Sequence, residues 1–147
     1  MALWQYAFWA IPKASVIGNN GHIEKYLTEE KINSIIFFDE NCSYDQFLTS
    51  ITYMKMNTHW CDNAILYGEY DSDCIEIYYE PDTKHIDSIR IRIDLRKEYR
   101  LTLASLMQSL LSSNFIIINE NLNILSMNEE SILDDISKNK FLRLWRE

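Results

Sequence analysis

The amino-acid sequence predicts one α+β domain over residues 1–147, a mostly antiparallel sheet with two to three helices packed on one face. Two patterns lead to this prediction: polar and apolar residues alternate as in half-buried strands in the middle of the chain, and later segments switch to helical spacing. The content of 47% hydrophobic and 24% charged residues is typical of a globular chain. Three glycines and two prolines leave little material for a linker between domains.

The first part of the chain is predicted to contain one strand and two helices. Residues 3–11 are rich in aromatic and aliphatic side chains, which predicts a strand buried on both faces. A short helix is predicted within residues 24–33. A longer helix is predicted over residues 44–56, because Ser43 and Gln46 form a capping box and apolar residues follow at helical spacing.

Three strands are predicted in the middle of the chain, separated by acidic turns. They span residues 64–70, 74–80 and 88–95. If the last two form an antiparallel hairpin, Glu76 and Glu80 share a face with Arg90 and Arg92, within reach of cross-strand ion pairs. The opposite face carries isoleucines. We therefore expect one buried isoleucine face and one polar face open to a partner.

The last third is predicted to contain two helices and a short buried strand. Leucines at helical spacing predict a helix that ends near Ser113, followed by a strand at 115–118 and a turn over 119–123 that leads to the apolar residues Leu122, Ile124 and Leu125. Asn128 is predicted to cap a final helix, because two glutamates follow it where carboxylates favour the helix dipole. The tail is expected to dock through Phe141, Leu142 and Trp145.

The charge distribution is the clearest functional signal in the sequence. The formal net charge is −8, which argues against a sequence-independent grip on nucleic acid. Between Asp62 and Asp87, eight acidic residues stand against Lys84 alone. Aromatic residues are interleaved with these acids, a combination that suits a surface for a basic protein. The predicted binding residues are Glu69, Tyr70, Asp71, Asp73, Glu76, Tyr78, Glu80 and Asp82.

Patterns that carry catalytic or metal chemistry are weak. His59, Cys61 and Asp62 offer three metal-ligand types within four residues, but only Cys74 and His85 could add to them. A turn before a strand is the preferred interpretation, so no metal or other cofactor is expected. No nucleophile stands in a pattern with a base, and the paired carboxylates suit solvated turns and ion pairs better than acid–base work. An enzyme is therefore not expected.

Cysteine usage and the N-terminal residues favour a cytoplasmic protein. Cys42, Cys61 and Cys74 contain no CxxC pair and are odd in number, which favours free thiols in a reducing compartment. The first twelve residues are apolar, but they lack a basic region and are too short to cross a bilayer. No membrane association is expected.

Several motifs together suggest a class of protein. They are a Trp-x-Tyr strand followed by proline, a Tyr-Gly-Glu turn before an acidic-aromatic hairpin, a strand of alternating Ile and Arg, and a closing Phe-Leu pair. The matching positions are Trp4, Tyr6, Pro12, Tyr67, Gly68, Glu69, 89–96, Phe141 and Leu142. This combination resembles the immunity proteins of bacterial polymorphic-toxin and contact-dependent growth inhibition systems. The resemblance implies a cytosolic protein that binds and neutralises a cognate toxin domain, and no active site accompanies these motifs.

The sequence therefore predicts an immunity protein for a basic toxin domain, such as a nuclease, because such enzymes bind phosphate through Lys and Arg. One alternative is a small enzyme or small-molecule-binding domain with a pocket between sheet and helices. Another is a structural subunit whose strand edges pair with a second chain. The oligomeric state stays open.

Overall fold

The computed structural model describes residues 4–17, 27–35, 44–82 and 86–138, which form one antiparallel sheet and four helices. The strands are β1 Gln5–Pro12, β2 Met56–Asn57, β3 Ala64–Gly68, β4 Cys74–Tyr79, β5 Ile86–Asp94, β6 Phe115–Asn119 and β7 Ile124–Leu125. The helices are α1 Glu29–Asn33, α2 Tyr44–Ser50, α3 Arg100–Ser112 and α4 Glu129–Ser137. The strand order is β2-β3-β4-β5-β1-β6-β7. The predicted α+β class is confirmed.

Strand β1 lies inside the sheet, between β5 and β6, and pairs antiparallel with both. Its central location explains the composition of the strand. Apart from Trp9, every residue of β1 is buried, including Ala7 on one face and Phe8 on the other. The predicted two-sided burial is confirmed.

The β4–β5 hairpin has the predicted antiparallel pairing and side-chain alternation up to a register shift at Tyr78 and Tyr79. Ile75 pairs with Ile91 and Ile77 with Ile89, and all four are fully buried. Their face of the sheet is covered by α2, α3 and α4, which contribute Phe47, Leu103, Leu106, Leu110, Ile132 and Ile136 to one core cluster. The prediction of two to three helices on one face is thus confirmed.

A second, smaller apolar cluster lies on the other face of the sheet. Ile11 of β1 and Ile118 of β6 pack there with Val16 and Leu27. Ile32 of α1 packs against the same cluster. This face is therefore apolar at β1 and β6, and it changes to polar residues at β4 and β5.

The local differences from prediction are shifts of one or two residues at the ends of β3, β4 and β5, an unpredicted strand β2, and helix ends. The helix predicted over 44–56 ends at Ser50, because Met56 and Asn57 form the edge strand β2 against β3. The N-terminal helix covers Glu29–Asn33, and its predicted start at 24 lies outside the described residues. Ser43 and the docking residues of the tail also lie outside them.

Two other predictions concern caps and thiols. The predicted cap Asn128 accepts a hydrogen bond from the backbone amide of Ser131 at 2.8 Å, as expected for the start of α4. Cys61 and Cys74 are free thiols, whereas Cys42 lies outside the described residues. In the described part of the chain, no helix has the length and apolar character needed to cross a membrane.

Candidate functional site

A buried ionic cluster occupies the polar face of the β4–β5 hairpin. Glu76 is fully buried and Arg92 is only 2% exposed. The expectation that this whole face stays open to a partner is therefore wrong at these two positions. The reason is that His59 and the ring of Tyr70 cover them, and neither contact follows from strand alternation.

Glu76 is the centre of this cluster. One of its carboxylate oxygens accepts hydrogen bonds from His59 Nε2 at 2.7 Å and from the Tyr78 hydroxyl at 2.8 Å. The other oxygen forms an ion pair with the Arg92 guanidinium. We call His59, Glu76, Tyr78 and Arg92 the Glu76 cluster. The predicted pairing of Glu76 with a β5 arginine is confirmed for Arg92.

Hydrogen bonding defines the protonation of His59. The backbone amide of Cys61 donates to His59 Nδ1 at 2.9 Å, so the ring proton must be on Nε2, where it is donated to Glu76. Both ring nitrogens and both carboxylate oxygens of the pair are thereby engaged within the protein. These contacts fix the positions of the His59 ring and the Glu76 carboxylate relative to each other.

The electrostatics of the cluster favour an ionised Glu76. Burial alone would raise the pKa of this carboxyl, but the hydrogen bonds from His59 and Tyr78 and the charge of Arg92 outweigh burial and lower the pKa. The pKa of Tyr78 is raised by burial and by its hydrogen bond to the Glu76 carboxylate. A buried ion pair therefore lies beneath this surface.

The β3–β4 turn beside the cluster is closed tightly. Gly68 has φ +83°, and a Cβ at this position would lie 2.2 Å from the carbonyl oxygen of Asp73. The Asp73 carboxylate accepts a hydrogen bond from the backbone amide of Asp94 at 2.7 Å and pairs with Lys97 at 3.0 Å. Asp73 is thus a structural residue of the turn, 7% exposed.

Side chains at and just before the start of β1, and one side chain just after the end of β5, also hold this turn. The Trp4 indole donates to the carbonyl of Asp71 at 3.0 Å, and the Gln5 amide donates to that of Tyr70 at 3.1 Å. Arg96 donates to the same Asp71 carbonyl at 3.2 Å. Because these contacts come from distant parts of the chain, the position of Tyr70 is fixed by the tertiary structure.

Two exposed aromatic side chains lie on this support. Trp60 is 76% exposed and its ring centre lies 5.1 Å from that of His59, while Tyr70 is 46% exposed and lies 6.5 Å from it. The Tyr70 ring also covers the Arg92 guanidinium at 4.7 Å. We define the aromatic patch as Trp60 and Tyr70 with the exposed acidic residues nearest them in sequence. These acids are Asp62, Glu69 and Asp71.

The eight predicted binding residues separate into three groups. Asp73 and Glu76 are buried in the contacts given above, and Tyr78 is partly buried. The exposed residues are Glu69, Tyr70, Asp71, Glu80 and Asp82. The first three lie together at one end of β4 and the last two at the other end, about 17 Å away at 3.4 Å per strand residue.

The sequence places Arg92 within reach of Glu76, but it does not reveal that both are buried. The role of His59 was missed as well, because the segment that contains it is predicted to be a turn and nothing in its spacing shows that it folds over β4. Among the described residues, no group of three or more His, Cys, Asp or Glu side chains could hold a metal ion. His85 lies outside that part of the chain.

Comparison of the chain with protein-family models, with curated proteins and with solved structures finds no match.

Proposed function

We propose that this chain is a cytosolic immunity protein that binds a basic bacterial toxin domain through the aromatic patch and blocks the toxin surface that contacts its substrate. The observation that carries the proposal is the exposure of Trp60 and Tyr70 on a support of buried ion pairs and hydrogen bonds. Tryptophan and tyrosine are enriched among the residues that contribute most to protein–protein affinity.

The rigid support is itself an argument for binding. Ordering side chains and loops at an interface costs free energy, and this cost is smaller when they are held before the partner arrives. Here the backbone of Tyr70 is tied to Gln5, and the ring of Trp60 lies against the buried His59. The patch is therefore preorganised to bind a partner.

The charge around the patch favours a basic partner. Residues 56–82 contain seven acidic residues and no lysine or arginine. Asp73 and Glu76 are buried, so five acids face solvent in this stretch. A nuclease binds the phosphates of its substrate with Lys and Arg, and such a surface is complementary to these acids.

The motifs that resemble immunity proteins help to build the patch. Trp4 donates to the turn carbonyl of Asp71, and Gly68 permits the close approach of Asp73. Arg96 contacts the same turn and stacks on Trp4, with its guanidinium carbon 4.3 Å from the ring centre. Residues that carry the resemblance therefore support the aromatic surface in this chain.

The decisive experiment uses the gene immediately upstream of this one, which the proposal requires to encode a toxin domain, and asks whether the chain protects cells against that domain. We expect co-expression of the chain to restore growth, and the purified proteins to form a complex. Replacing Trp60 by Ala should weaken the complex about 30-fold, since a truncated central aromatic costs about 2 kcal/mol. Leu101→Ala, at a side chain 80% exposed on α3, is the control and should leave affinity unchanged. Failure to protect, or equal affinity of both variants, would contradict the proposal.

The acidic part of the patch is tested by association kinetics. Glu69→Lys combined with Asp71→Lys should slow association at least tenfold at low salt, and the difference should shrink at high salt as charges are screened. Glu130→Lys combined with Asp134→Lys makes the same charge change on α4, across the sheet from the patch. Equal slowing by both double variants would assign the effect to net charge and remove the patch from the interface.

A further inference from the structure

A pocket of about 530 Å³ opens on the second face of the sheet, at β1, β6 and α1. Its volume is within the range of pockets that hold a small ligand or an inserted side chain. The pocket lies on the sheet face opposite the core that α2, α3 and α4 cover. The small-molecule alternative predicts a pocket between the sheet and the helices instead. The deep part is apolar: Ile11 and Ile118 are each 2% exposed, and Trp9 and Ile32 line it as well.

The open side of this pocket carries negative charge. Glu29, Asp87 and Glu120 line it and are exposed, and they come from α1, from β5 and from the residue after β6. Among the described lining residues there is no lysine, arginine or histidine. The pocket therefore combines an apolar floor with three carboxylates at its rim.

The wall of the pocket at the β6–β7 turn is held in place. Leu122 has φ +64°, a conformation that non-glycine residues rarely adopt. The turn is held because the Asn119 side-chain oxygen accepts hydrogen bonds from the amides of Asn121 and Asn123 at 2.9 and 3.0 Å. The Leu122 carbonyl accepts from the amide of Leu27 at 2.8 Å, which ties the segment before α1 to this turn.

We propose that this pocket binds an organic cation, whose alkyl part lies along the apolar floor that the isoleucines form and whose guanidinium or ammonium group lies at the carboxylates of the rim. In the complex, the cation is an Arg or Lys side chain of the basic toxin domain, and this assignment rests on the proposed function. A free alkyl cation has the same chemistry and serves as the probe.

The position of the pocket relative to the Glu76 cluster supports one partner contacting both. In the sheet, Trp9 of β1 lies opposite Arg90 of β5, and Arg90 lies opposite Glu76 of β4. The pocket wall and the cluster are therefore two strand spacings apart. That is about 10 Å along the sheet. A protein bound at the aromatic patch can therefore extend a basic side chain into the pocket.

The first test uses n-butylguanidinium as ligand and n-butanol as its neutral match, measured by calorimetry on the whole chain. We expect saturable binding of the cation only. Asp87→Asn combined with Glu120→Gln should weaken binding at least tenfold, whereas Glu130→Gln combined with Asp134→Asn, on α4, should leave it unchanged. Absence of cation binding, or equal binding of butanol, would overturn the cation site.

The second test asks whether the toxin uses the pocket. Saturating n-butylguanidinium should weaken toxin binding if a basic side chain of the toxin occupies the same pocket. Unchanged toxin affinity under saturation would overturn the toxin side chain as the occupant and leave the pocket to free cations. The Trp60→Ala comparison does not depend on either result, so failure of the pocket is distinguishable from failure of the proposed function.

Discussion

Glu76 is a carboxylate without solvent contact, and such a group is tolerated only when its charge is compensated. Removing it from water costs several kcal/mol, which Arg92 and the hydrogen bonds from His59 and Tyr78 must offset. The net contribution of a buried pair to stability can therefore be small. The cost of breaking the pair is nevertheless large, because the remaining charge stays buried.

Glu76→Ala is expected to lower the free energy of unfolding by about 3–5 kcal/mol, because it leaves the Arg92 guanidinium buried without its partner. Urea denaturation followed by circular dichroism measures the change. Glu80→Ala is the matched control: Glu80 follows the same strand and is exposed, so its loss should change stability by less than about 0.5 kcal/mol. Similar small changes in the free energy of unfolding of both variants would show that Glu76 does not stabilise the fold.

Neighbouring aspartates of one turn show what residue types alone cannot reveal. Asp71 and Asp73 are separated by one serine, yet Asp71 is exposed and Asp73 is buried under Lys97. The sequence predicts both as binding residues. It does not reveal the burial of Asp73, because the amide that donates to its carboxylate belongs to Asp94 on another strand. Charge reversal at Asp73 therefore perturbs the fold as well as the surface.

At the scale of elements, the parts that alternation or helical spacing defines were predictable. The faces of β4 and β5 follow from the period of two, and the buried stripe of α3 follows from its leucines. The end of α2 was not predictable, because β2 forms only through pairing with β3. The burial of the Glu76 cluster was not predictable for the same reason: its cover comes from segments outside the hairpin's own register.

The assignment of the two faces of the β4–β5 hairpin can be tested at Ile91. Ile91 is fully buried against the helix layer, so Ile91→Ala should destabilise the protein by about 2–5 kcal/mol through lost burial and a cavity. Ile17→Ala, at an isoleucine that is 45% exposed, is the control and should cost less than about 1 kcal/mol. The comparison is made by urea unfolding at neutral pH. Equal effects would mean that the sheet faces are assigned wrongly.

The stability of the whole molecule is expected to fall at acid pH, because folding lowers the pKa values of two carboxyl groups. Hydrogen bonds from Arg96 lower the pKa of Asp94 from its ordinary 3.8 to about 2, and the pKa of Glu76 is lowered as well. Because these values lie below those of the unfolded chain, the unfolded state takes up protons first as the pH falls. The stabilisation is complete above about pH 5 and is lost through the interval down to pH 2.

The unfolding free energy is therefore expected to fall between pH 5 and pH 2, and to fall less in Asp94→Asn. Between pH 5 and pH 2 the fall should be about 2 kcal/mol smaller in the variant, so the two unfolding free energies should differ most near neutral pH and converge at the acid end. Urea titrations at several pH values measure it, with Asp134→Asn as the control because Asp134 is exposed. An Asp94→Asn variant with the same pH slope as the parent chain would contradict the role of this carboxylate.

The central place of β1 in the sheet also governs when the protein can fold during translation. Its partners β5 and β6 end at Asp94 and Asn119, far along the chain. At roughly 5–20 residues per second, about 5–20 s pass between synthesis of β1 and synthesis of β6. Until β6 is made, at least one edge of this apolar strand has no partner, even after β5 has been synthesised. In the role proposed here, protection of the cell begins only after residue 119 has emerged.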